Sequence, residues 1–251
     1  MEKEPRLSSI EGPINSEHLR EGVEPIMVCV GTEDDYKEQF KELNEHFEDY
    51  HPGVHNVDYF THAEILDRKG FKNTGDRTYV ISPLDKFDKF SEGFYNCTGL
   101  IVVGKSTRDG ENISFLSHQD PTKFLHDKKR DFVTHLEQIL SNLKIQVEEG
   151  TADAIIIGGR YLPLTDRTVG DSYEVKNYVS SIYLLSEEVK KVLGFDPVVI
   201  NGPKLPSPMG GQDKVYFDNR NRRAYLIRPR VNQDIKDFTQ PELDGKRKTW
   251  W

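Results

Sequence analysis

Two apolar runs on either side of a turn signal constrain this chain more than any other feature. Gly99-Leu100-Ile101-Val102-Val103 and Ile113-Ser114-Phe115-Leu116 flank Gly104–Asn112, and Asp109-Gly110 within that interval is a strong signal for a tight hairpin turn. An antiparallel pair follows. Cys97 then stands just ahead of its first strand and His118 just behind its second, so the two fall at the same end of the ribbon. Adjacent strands are only about 4.8 Å apart, which brings a thiol and an imidazole at that end within hydrogen-bonding reach.

The rest of the chain supplies material on both sides of that ribbon. Short apolar stretches at Ile26–Val30, Val54–Thr61, Thr78–Ile81, Asp153–Gly158 and Val198–Ile200 read as strands, and Val215–Phe217 with Ala224–Ile227 brackets Asp218–Arg223 as a second hairpin. Helical spacing marks Glu33–Tyr50, Lys128–Leu143 and Ser172–Leu193, the last closed by Gly194. Asp67–Asp76 reads as a polar loop, and Ser82–Asn96, with Pro83, two Asp-Lys-Phe triplets and Gly93, separates two apolar runs and ends in a polar loop before Cys97. Hairpins mixed with β-α-β stretches predict an α+β fold, a layered sandwich of mixed sheets flanked by long helices. The organisation expected is a flexible leader over 1–24, one domain over 25–228 and an extended polar tail over 229–251.

Composition excludes several classes. The 251 residues include 34 Lys and Arg against 42 Asp and Glu, a net charge of −8 without a concentrated basic face, which disfavours nucleic acid as a partner. No apolar run approaches the roughly 20 residues of a spanning helix, so no membrane partner is expected. The polar, acidic residues Met1–Glu24 do not read as a signal peptide, and two cysteines in unlike surroundings do not make a disulfide framework. A cytoplasmic protein is expected, or an effector delivered by a dedicated secretion system. A chain of this length folds without a cofactor or metal.

Two motifs are set aside on physical grounds. Gly99 to Ser106 matches the phosphate-loop pattern by letter, but its variable residues Leu100 to Val103 are a strand, and Lys105-Ser106 runs into a turn where a phosphate loop needs a helix start. His46, His51, His55 and His62 are dense but straddle a helix end, a Pro-Gly break and a strand, without metal-site spacing. Cys29 within Ile26–Val30 reads as a small buried hydrophobe.

Cys97 differs from Cys29 because it lies where a polar loop meets a strand, a place where backbone amides can face a substrate oxygen. His118 at the ribbon's end could take its proton and hold the thiolate as an ion pair, the usual route to a nucleophilic cysteine near neutral pH. Around these residues, Asn96-Cys97-Thr98-Gly99 before one strand and Ser117-His118-Gln119-Asp120 after the next, the sequence resembles the cysteine amidohydrolase/deamidase superfamily. That superfamily holds the chemoreceptor glutamine deamidases, the cytotoxic necrotizing factor catalytic domains and protein N-terminal asparagine amidohydrolase. The helix over Lys128–Leu143 and the apolar strand ending Gly158-Gly159 are also similar to the last of these.

The resemblance implies Cys97 and His118 as the catalytic pair and Ser91, six positions before the cysteine, as the assisting hydroxyl. It further implies backbone at Asn96 and Thr98 as oxyanion donors, with Gln119 and Asp120 binding substrate. The activity implied is deamidation of glutamine or asparagine carboxamides in a protein or peptide substrate, through a thioester and without a cofactor. Alternatives are a Cys-His peptidase or transglutaminase, or a non-enzymatic binding module using the 215–227 hairpin with Tyr216, Phe217, Tyr225, Arg220, Arg222 and Arg223, or the Trp250-Trp251 end.

Overall fold

The computed structural model describes residues 10–12, 22–32, 35–36, 53–57, 63–75, 78–159, 173–200, 213–228 and 237–238. The helix expected over Glu33–Tyr50, apart from Asp35 and Tyr36, most of the leader and tail, His18, His46, His51, His62 and the terminal tryptophans lie outside them.

Thirteen strands are described: β1 (Ile10–Gly12), β2 (Met27–Gly31), β3 (Val54–Asn56), β4 (Lys72–Asn73), β5 (Tyr79–Ile81), β6 (Asp88–Phe94), β7 (Thr98–Lys105), β8 (Asn112–Gln119), β9 (Asp153–Gly158), β10 (Val198–Ile200), β11 (Asp213–Asp218), β12 (Arg223–Ile227) and β13 (Asp237–Phe238). The helices among the described residues are α1 (Ala63–Arg68), α2 (Pro121–Asp127), α3 (Lys129–Gln146) and α4 (Tyr173–Leu193). They make an α+β fold. One sheet runs β1-β2-β12-β11-β6-β3 and the other β13-β10-β9-β7-β8-β5-β4, with parallel pairs at β2/β12, β3/β6 and β9/β10.

Alternation along β7 sorts the layers. Ile101 and Val103 join Val28, Leu116, Ile155, Ile157, Val215, Phe217 and Leu226 in a core between the two sheets. Leu100 and Val102 point the other way, into a second core with Phe132, Leu136 and Leu140 of α3 and Val179, Ile182 and Val189 of α4. Among the described residues, the long helices cover the outer face of the second sheet. The phosphate-loop letters form this buried strand, and Ser106 pairs with Val147 in a bridge where a helix would have to begin.

Several segments depart from the expectations above. Ser82–Asn96 is not a loop throughout, since β6 occupies its second half and pairs with β11 and β3. Its inward face hides polar groups: Lys89 is fully buried and its ammonium bonds Asp85 Oδ1 at 2.9 Å, while Ser91 has no exposure either. Asp67–Asp76 takes in the end of α1 and strand β4. The single helix expected at Lys128–Leu143 is preceded by a separate one, α2, whose cap is Asp120 and whose first residue is Pro121.

The hairpin offered as an exposed binding surface is interior. β11 and β12 are central strands, with Phe217 and Ala224 fully buried and Tyr225 7% exposed. Arg222 turns inward to Asn112 Oδ1 and the carbonyls of Glu24 and Thr151, so of the three arginines named Arg220 alone is exposed.

Candidate active site

Antiparallel register places the two candidate residues. Gly99 lies directly opposite His118, and Cys97, two residues earlier and just ahead of β7, is therefore its diagonal neighbour. Diagonal Cβ atoms are about 7 Å apart, a span that a cysteine and an imidazole can close together. The position between them is a glycine for a steric reason. A Cβ at Gly99 would stand 2.9 Å from Phe94 Cε1 and 3.0 Å from Ile157 Cγ1, and the ring that uses this space stacks flat on His118 with centroids 4.1 Å apart.

The far side of the imidazole is held from the opposite sheet. His118 Nδ1 and Ser91 Oγ are 2.8 Å apart, and Ser91 Oγ donates to the carbonyl of Val57 at 2.6 Å. A carbonyl only accepts, so the serine proton is committed to Val57 and its lone pairs face Nδ1. The proton of His118 therefore sits on Nδ1. Nε2 is left as the basic nitrogen. Val57 is fastened in turn, its N–H bonding Phe90 O at 2.6 Å on the same strand that carries Ser91.

Both candidate side chains are enclosed, Cys97 at 5% exposure within the inter-sheet core and His118 at none. Burial pushes the imidazole down to about 3, with the Val57 carbonyl acting weakly in the other direction. Burial thus disfavours the imidazolium half of the ion pair expected from the sequence. Cys97 and a neutral imidazole face the same core, an arrangement suited to passing the thiol proton to Nε2 as a bond to sulfur forms.

The remaining predicted residues have other placements. Gln119 points to the helix side of its sheet, opposite in direction to His118, and donates from Nε2 to Thr98 Oγ1 at 2.9 Å; Thr98 Oγ1 also meets Ser181 Oγ of α4. Asp120 caps α2 by accepting from Thr122 N at 2.9 Å. Neither side chain faces the pair. The Thr98 amide is committed to the ladder, because Gly159 N–H to Cys97 O and Asp120 N–H to Thr78 O define the flanking pairs as open and make Thr98–Gln119 the bonded one. Asn96 stays in the bend before β7.

The Gly158-Gly159 ending of β9 has a packing cause. A Cβ at Gly158 would collide with the Tyr178 hydroxyl, and one at Gly159 with the backbone carbonyl of Phe94. Val57 and Phe94 were not among the sequence candidates: one acts through its carbonyl, which no residue type encodes, and the other is an aromatic in a polar stretch. No family model matches the chain, and no curated protein matches it.

Proposed function

We propose that this protein is a cysteine amidohydrolase that converts a glutamine or asparagine carboxamide to the acid. The observation that carries this reading is the Val57–Ser91–His118 relay, which fixes the imidazole with Nε2 basic on the diagonal from a cysteine of the same sheet face. Orienting a general base through its second nitrogen is the recurring device of hydrolytic triads. The layered α+β arrangement and the place of Cys97 just before β7 support the deamidase resemblance, whereas His118 lies within β8 and not behind it as the sequence pattern expects.

In this mechanism Nε2 takes the thiol proton as Sγ attacks the carboxamide carbon, and the backbone at Asn96, in the bend before β7, is the expected oxyanion donor. The C–N bond breaks, the nitrogen leaves with that proton as ammonia, and a thioester remains. Water loses a proton to Nε2, adds to the thioester carbon, and the thiol is restored as the acid departs. Because the pair is enclosed, substrate reaches the sulfur only when neighbouring chain moves aside.

The test is ammonia release from glutamine- and asparagine-containing peptides. Cys97→Ala and His118→Ala should each abolish it with the circular dichroism spectrum unchanged. Full activity in Cys97→Ala overturns the proposal. Mass spectrometry separates the related acyl transfers, since deamidation adds about one dalton, peptidolysis splits the chain and transamidation adds an amine.

A further inference from the structure

A second polar pair is buried at the same end of the sandwich. Asp213 opens β11 directly opposite Phe94, the residue whose ring lies on His118, and the register between β11 and β6 shifts immediately after it. Bulges of this kind re-aim side chains and gather beside active sites. Arg228 continues the alternation of β12, in which Ala224 and Leu226 face the inter-sheet core while Tyr225 and Ile227 face away, so it too points between the sheets. Its Nε donates to Asp213 Oδ2 at 3.1 Å, and the two residues are 1% and 3% exposed.

That bond leaves half of the carboxylate unused. Asp213 Oδ1 is buried and has no hydrogen-bond partner, although an unsatisfied acceptor in such a place costs free energy. Burial pushes this carboxyl up to about 7 against the pull of Arg228. Charge decides what the open oxygen can take. Arg228 already balances Asp213, so a cationic ligand would leave a net charge in an apolar layer, whereas a neutral N–H donor would not.

We infer that Asp213 is the specificity-determining residue of the proposed amidohydrolase, its Oδ1 accepting from the substrate carboxamide's NH2 group and rejecting the isosteric carboxylate product. The inference rests on the amidohydrolase reading. A carboxamide offers two donors and a carboxylate none, so Asp213 in its ionised form, which only accepts, orients the amide with its nitrogen toward Oδ1 and expels the acid.

The experiment uses Ala-Gln-Ala and Ala-Asn-Ala with their Glu and Asp counterparts as probes. Calorimetry on the Cys97→Ala protein, with Asp213 intact, should show the amide peptide binding at least tenfold tighter than the acid. In a Cys97→Ala/Asp213→Asn protein the preference should fall to threefold or less. In the active protein Asp213→Asn should raise KM more than it lowers kcat, with stronger inhibition by the acid peptide. Ammonia release by the wild-type protein with equal affinity for amide and acid removes this inference alone. No ammonia release from either peptide by the wild-type protein removes the activity and the inference together.

Discussion

Ser91 and His118 join the two sheets through one hydrogen bond, Oγ to Nδ1 at 2.8 Å, with the serine proton passed on to Val57 O. Replacing Ser91 by alanine leaves a buried Nδ1–H without its acceptor, a loss of about 1–3 kcal/mol. Felt in the transition state, that is roughly a tenfold to hundredfold fall in kcat. Ser91→Thr, which keeps the hydroxyl, should recover part of it. Ammonia-release kinetics on the three proteins check this, and unchanged kcat in Ser91→Ala would show that the relay does not serve the base.

His118 also makes stability depend on pH. Its folded value of about 3 lies below the ordinary 6.5, so the unfolded chain binds the proton first as pH falls. The stability contributed by a neutral buried His118 is present above pH 6.5 and is lost as pH drops from there toward 3, on the order of 5 kcal/mol in all. Asp213 acts in the opposite sense. Its folded value of about 7 lies above the ordinary 3.8, so it withdraws stability as pH rises through that interval. Urea titrations of His118→Gln and wild type at several pH values should give a curve for the variant that loses less between pH 6.5 and 4. Parallel curves would contradict the burial of a neutral imidazole.

The hairpin β7–β8 was legible because both strands are nearly pure apolar runs and Asp109-Gly110 marks the turn, with Gly110 at φ 72°. That single element carried Cys97 and His118 into one neighbourhood. Strand β6 was not legible, since its inward face carries Lys89 and Ser91 and its later half holds Gly93 at φ 82°, which together erase the alternation of a half-buried strand. The same polar residues that hid the strand supply the histidine's partner. Gln119 and Asp120 looked like substrate contacts by adjacency alone; the two-residue period turns Gln119 to the opposite face, and Pro121 commits Asp120 to a cap.

Gly159 offers a test of how tightly the loop before Cys97 is held. Any Cβ there meets the Phe94 carbonyl, which is backbone and cannot rotate away. Gly159→Ala should cost about 1–3 kcal/mol through overpacking. It should also displace the Phe94 ring from His118, lowering kcat at least tenfold. Thermal unfolding and ammonia release measured together check both effects. A stable, fully active variant would show that the Phe94–Tyr95 backbone has slack.

At the opposite end of the sandwich Arg222 does for the sheets what Ser91 does at the site. From a backbone at φ 50° it reaches Asn112 Oδ1 at 2.9 Å, Thr151 O at 3.0 Å and Glu24 O at 2.6 Å, tying the β11–β12 turn to the starts of β8 and β9. Arg222→Met keeps the length of the side chain but strands these acceptors, and bonds from a charged donor are worth about 1.5–3 kcal/mol each. Solvent can reach Glu24, an exposed residue, so the net loss should be about 3 kcal/mol. Cys97 and His118 lie at the far ends of β7 and β8 from this anchor. A chemical-denaturation midpoint that falls while ammonia release per folded molecule stays constant is the expected result. An equal loss of activity would mean that the two ends of the sandwich are mechanically coupled.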